Sequence, residues 1–165
     1  MEPVIVEHKH VIIRAEVNSP PSKNDTEMMK DWVIDLIDSI GMKLLSGPHI
    51  EYVDVPGNVG MTTVSIIETS HIAIHTWEEP DPALMQIDVY TCGPLDLDVV
   101  WEKLETFEPI RVYYKFLDRE FTLKDIDEGG FGTFSLNKDG SPVERTRSAP
   151  TPIHKSQGIT SSHNV

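Results

Sequence analysis

The 165-residue chain carries 27 acidic against 14 basic side chains, for a formal charge of −13, and 39% of its residues are apolar. That is long and apolar enough for one domain with its own core. The acidity argues against a nucleic-acid partner or an anionic membrane surface, since both select a basic footprint, and it leaves room for a cationic small-molecule substrate.

The first residues, "MEPVIVEHKH", place charges on both sides of a four-residue apolar run, which is not a leader pattern. No apolar stretch approaches membrane-spanning length, so the expected location is cytoplasmic with no membrane partner. The single cysteine, Cys92, excludes an internal disulfide. Alone, such a thiol is either a small buried hydrophobe or a reactive group.

In chain order, "HVIIRAEV" (10–17) reads as a β-branched strand and "NSPPSKND" (18–25) as a loop. A helix follows, with Met29, Trp32, Val33, Leu36, Ile37, Ile40 and Leu44 at three- and four-residue steps, Asp25 or Thr26 as N-cap and Glu27 in the first turn. Next come "HIEYVDV" (49–55), the turn "PGNVG", and three extended runs at 62–68, 71–77 and 83–91. A shorter helix over 96–106 shows Val99, Val100, Trp101 and Leu104 on its apolar side, and "IRVYYKFL" (110–117) is the last strand. The order β-α-β-β-β-α-β predicts an α+β fold, a two-layer α/β sandwich with a mainly antiparallel sheet and both helices on one face. Residues 1–128 form the domain on this reading. The Gly-, Ser-, Pro- and Thr-rich segment 129–165 is expected to be a disordered tail.

The chemistry concentrates in "ETSHIAIHTW" (68–77). In a strand, His71, Ala73, His75 and Trp77 share one face, and the two histidines stand about 13 Å apart, too far to ligate one metal ion. No zinc spacing supports a metal centre, and Ser70 lacks the flanking glycines of a hydrolase nucleophile elbow. An isolated serine or histidine here is ordinarily a satisfied polar group on a half-buried strand.

Read whole, the stretch resembles the bacterial-type S-adenosylmethionine decarboxylases, whose signature is approximately E-S-H-[LIV]-x-[IL]-H-T-W-P-E followed by D-[VIL]-[FY]-T-C-G. The matching residues are Ser70, His71, Ile74, His75, Thr76, Trp77 and Glu79, then Asp88, Val89, Tyr90, Thr91, Cys92 and Gly93. The resemblance implies that Ser70 is the precursor of a covalent pyruvoyl cofactor. Its hydroxyl attacks the Thr69 carbonyl, the peptide becomes an ester, and elimination and hydrolysis cut the chain between Thr69 and Ser70. By family match His75 is the processing base, Thr62 the hydroxyl that assists it, and Cys92 the acid that returns a proton to the substrate after decarboxylation through a Schiff base. The implied product is the aminopropyl donor for spermidine synthesis, and the implied assembly is a dimer of processed protomers with the active site near the interface. Glu16 and Glu68 are candidate contacts for a cationic substrate.

Three features depart from the family pattern. Thr69 replaces glutamate at the cut, Glu78 replaces the proline after Trp77, with a loop two residues longer before Cys92, and "VDVPGNVGMTT" lacks the aromatic that would stack on adenine, Tyr52 being the nearest. Loss of such a stack removes about 0.5–1.5 kcal/mol. The runner-up readings are therefore a decarboxylase of ornithine or arginine, and an uncut homologue acting as a binding or regulatory partner.

Overall fold

The computed structural model describes residues 6–132 and the backbone of residues 135–136, 142–143 and 154–155. Strand β1 (Lys9–Val17) leads through a loop to helix α1 (Thr26–Ser39). Strands β2 (Leu44–Val53), β3 (Gly60–Ile67), β4 (Ser70–Trp77) and β5 (Ala83–Thr91) follow, then α2 (Leu97–Leu104) with a 3₁₀ turn (Glu105–Phe107), β6 (Pro109–Asp118) and β7 (Lys124–Gly132). The short strands β8 (Ser135–Leu136), β9 (Pro142–Val143) and β10 (His154–Lys155) complete the described chain. Eight strands form one sheet in the order β10-β7-β6-β1-β5-β4-β3-β2. Every pairing in it is antiparallel.

This is the expected α+β class with a mostly antiparallel sheet, and it differs in three places. Four strands, not three, lie between the helices, because 44–53 is a full strand paired with β3. Leu44 belongs to that strand rather than to the helical stripe, since the helix stops at Gly41. There φ is 73°, with Gly41 N donating to Asp38 O and Met42 N to Ile37 O, both at 3.0 Å, a Schellman closure that a glycine accepts without strain. Strand β7, with few apolar residues, runs to Gly132, so backbone pairing continues four residues past the boundary expected at 128. Apart from these strands, the expected tail lies outside the described residues.

Strand alternation sorts the side chains into two faces. Val11, Ile13, Ala15 and Val17 of β1, Ile72 and Ile74 of β4, and Met85, Ile87 and Val89 of β5 are buried, in one core with Met29, Val33, Leu36 and Ile37 of α1 and Val100, Trp101 and Leu104 of α2. Burying each of the larger of these contributes about 1.5–3 kcal/mol. The helices meet where Trp32 Nε1 donates to Lys103 O at 3.0 Å and its ring packs 5.0 Å from Phe107. Asp25 takes the N-cap position of α1, but its carboxylate accepts from the Ser22 N–H and hydroxyl instead of capping the helix, and those bonds hold it below the usual carboxylate range. Among the described residues no helix is long and apolar enough to cross a membrane.

Among the described residues, no helix packs on the other face of the sheet. It carries His10, Ile12 and Arg14 of β1, Thr62, Val64 and Ile66 of β3, His71 and His75 of β4, and Asp88 and Tyr90 of β5, as the cross-strand register requires. At the entry to β3, Gly60 lies so close to β4 that an added Cβ would meet the Thr76 carbonyl oxygen at 1.9 Å. Gly60→Ala should therefore lower the unfolding free energy by about 1–3 kcal/mol, because backbone cannot turn aside as a side chain can. An unchanged denaturant midpoint would refute this close approach.

Candidate functional site

Strands β3 and β4 are joined by a two-residue turn, Glu68–Thr69, closed by the pairing of Ile67 with Ser70. Turns this short demand a positive φ, normally supplied by Gly, Asn or Asp. Here Thr69 takes it, at 56°, a conformation that strains a β-branched side chain by about 1–2 kcal/mol. The bond expected to be cut is thus the one that leaves the strained residue.

Three side chains converge on the carbonyl oxygen of Glu68. Thr69 Oγ1 donates to it at 2.9 Å, Ser70 Oγ at 3.2 Å, and Cys92 Sγ, arriving just past the end of β5, at 2.9 Å. A carbonyl oxygen has two lone pairs, so the three donors compete and the longest contact, that of Ser70, is the most easily released. Glu68 and Thr69 are exposed, and Ser70 and Cys92 are half-buried. Folding therefore brings together Ser70, Thr69, Cys92 and the Glu68 backbone.

Thr62 and His75 form a second group. They face each other across β3 and β4, with Thr62 Oγ1 3.2 Å from His75 Nδ1. Both line a cavity of about 300 Å³ shared with Val53, Val55, Asn58 and Trp77. Glu79 secures its rim, accepting from Gly57 N at 3.0 Å and Val59 N at 3.4 Å. Tyr52, the aromatic nearest to "VDVPGNVGMTT", packs against the core and does not line this cavity. His75 is five strand residues from Ser70, about 16 Å along β4, so one chain does not place it at the bond to be cut. Glu16 lies farther from the turn, at the end of β1 opposite His10, and pairs with Arg111 and with Arg14 at 3.7 Å.

The sequence reading missed a third group. His71 does not meet His75; its Nε2 lies 3.4 Å from Asp88 Oδ1, to which His10 Nε2 is also bonded. Arg119 Nη1 is 3.1 Å from His10 Nδ1. Burial works to raise the Asp88 carboxyl, but the His10 hydrogen bond and the electrostatic pull of His10 and His71 outweigh it and leave the group below its ordinary value. Asp88 and His71 belong to the quoted motifs, but His10 and Arg119 do not. Only the pairing of β1 with both β5 and β6 brings those two in.

Comparison with known proteins supplies context for this geometry. Residues 9–120 match the S-adenosylmethionine decarboxylase family. The chain is 35% identical over 69 residues to the arginine decarboxylase proenzyme of Hyperthermus butylicus, covering 42% of this chain and 46% of that protein. It is 36% identical over 88 residues to the S-adenosylmethionine decarboxylase proenzyme of Persephonella marina, covering 52% and 56%. The chain thus spans about half the length of the curated relatives it matches. Its fold is that of the crystal structure of the adenosylmethionine decarboxylase from Aquifex aeolicus, with a TM-score of 0.51 at 20% identity over 74% of this chain and 96% of that one.

Replacing the strained turn residue tests the local geometry. In a Ser70→Ala background, Thr69→Gly should raise the unfolding free energy by up to about 1 kcal/mol, as relief of the left-handed strain outweighs the added backbone entropy. A loss of stability in denaturant titration would show that the Thr69 contacts matter more than its strain.

Proposed function

Because the chain belongs to the S-adenosylmethionine decarboxylase family, we propose that it is a self-cleaving, pyruvoyl-dependent decarboxylase that cuts itself between Thr69 and Ser70. The observation that carries this reading is the Cys92 thiol, 2.9 Å from the Glu68 carbonyl and so beside the strained turn that presents Ser70.

Ser70 Oγ, released from its long contact with Glu68 O, attacks the Thr69 carbonyl carbon as the peptide C–N bond breaks and the hydroxyl proton passes to the freed amine. Loss of the Ser70 α-proton then breaks the Cβ–O bond and releases residues 1–69 with a carboxylate end. Tautomerisation and hydrolysis of what remains expel ammonia and leave the pyruvoyl group. That group supplies an electron sink for an α-amino acid. Cys92 then delivers the proton that replaces the carboxylate.

His75 and Thr62 fit the processing role only if they act on Ser70 of a second copy. Their separation from the turn along β4 supports this, as does the open face, where Ile12, Val64, Ile66 and Tyr113 remain 38–49% exposed. We infer a homodimer in which each open face completes the partner's site.

S-adenosylmethionine is the substrate this reading favours, with decarboxylated S-adenosylmethionine, the aminopropyl donor for spermidine, as product. A second reading, a basic amino acid such as arginine or ornithine, is favoured by the aliphatic Val53 and Val55 in the cavity wall and by the name of the Hyperthermus relative.

Intact mass under denaturing conditions tests the cut. Two chains, 1–69 and a blocked 70–165, are expected, and a single full-length chain would leave only a binding or regulatory role. Cys92→Ala should still be cut but lose about 100-fold or more in kcat, the lower end of what a positioned proton donor contributes. Turnover of S-adenosylmethionine with none of arginine or ornithine is the expected panel result, and the reverse pattern would reassign the substrate.

A further inference from the structure

The most elaborately built cluster outside the turn stands on the open face beside it. Arg119 can only donate hydrogen bonds, so His10 Nδ1 accepts and the ring proton of His10 sits on Nε2, directed at Asp88. Asp88 Oδ1 also faces His71 Nε2 at 3.4 Å. The Tyr90 ring fills the space between these groups. Its centroid lies 5.4 Å from that of His10, 5.6 Å from His71 and 6.0 Å from His8, with the Arg119 guanidinium carbon 4.3 Å away. The hydroxyl of Tyr90 bonds His8 Nδ1 at 2.9 Å.

Two histidines and a carboxylate within 4.8 Å of one another have the makings of a metal centre. The arginine argues otherwise. A metal on His10 Nε2 would move the ring proton to Nδ1, where it would face a guanidinium that cannot accept it, and would add a dication beside a fixed cation.

The position of His71 gives the cluster its purpose. Its backbone nitrogen is the atom left bonded to residue 70 after the proposed cut. Before the cut, Ser70 is tethered on both sides; afterwards it is a chain end, and the pairing of Ile67 with Ser70 is the last rung of the β3–β4 ladder. Chain ends without other ties fray. The His71 ring is 41% exposed and would not hold itself by packing.

We propose that Arg119, His10 and Asp88 form a fixed hydrogen-bond chain that clamps the His71 ring, and through it the new amino end of the cut chain. His71 is then a positioning residue for the group made from Ser70. The proposal rests on the self-cleaving reading above.

The test compares wild type, Asp88→Ala, His71→Ala and the double variant for cut fraction by mass, thermal midpoint, kcat, KM and the rate at which phenylhydrazine labels the ketone. Asp88→Ala should be folded and cut, with KM little changed, labelling accelerated, and kcat reduced roughly ten- to a hundredfold, the effect of losing a hydrogen bond to an ionised group. The double variant should be no worse than the poorer single one, since both break the same chain. Should Asp88→Ala not fold, Asp88→Asn, which keeps Oδ1 and loses the charge, is expected to show a smaller change in the same direction. Wild-type kcat and labelling in Asp88→Ala, or losses that multiply in the double variant, would overturn the clamp while leaving the cut chain intact. Stoichiometric binding of zinc alone that disappears in Asp88→Ala would overturn it in favour of a metal centre. An uncut wild-type chain would remove the Ser70 reading and the clamp together.

Discussion

Alternation along an antiparallel sheet covered on one face is the constraint on which the rest of this protein depends. Along β4, Ile72, Ile74 and Thr76 are buried while His71, Ala73, His75 and Trp77 face the open side. Core and chemistry thus occupy the same eight residues. A slip of one residue would exchange them, so the packing that stabilises the strand also keeps the imidazoles in place.

The turn at the end of that strand concentrates strain where reactivity is proposed. A glycine would adopt the positive φ of position 69 without difficulty, yet a threonine stands there, with three donors gathered on the carbonyl just before it. Such strain persists only where the surroundings over-determine it, here through the β3–β4 ladder and the contact from Cys92. The same straight ladder carries His75 away from the turn. One chain therefore holds two separated groups of candidate residues on a face that still exposes apolar side chains.

Charge is distributed with similar economy. The chain is strongly acidic, but beside the turn His8, His10, His71 and Arg119 gather around Tyr90 and Asp88. The excess of carboxylates lies mostly in solvent, where it contributes little to local chemistry.

The sequence by itself determined the local matters. β-Branched alternation marked the strands, the 3.6-residue period marked α1, and two motifs singled out Ser70, His71, His75 and Cys92, because each of these signals spans neighbours in the chain. It misplaced Leu44, since a helical period does not announce the glycine closure that ends it, and it overlooked β7, whose charged and glycine-rich residues show no apolar alternation and whose ties to β6, such as Tyr114 to Asp127 and Lys115 to Asp125, are polar. What only the tertiary structure decided was distance across strands. The approach of Cys92 to Glu68 spans 24 positions, and that of Arg119 to His10 spans 109. Those contacts depend on strand order and on register, which burial of one face fixes between segments that lie far apart in the chain and so leaves no mark on neighbouring residues.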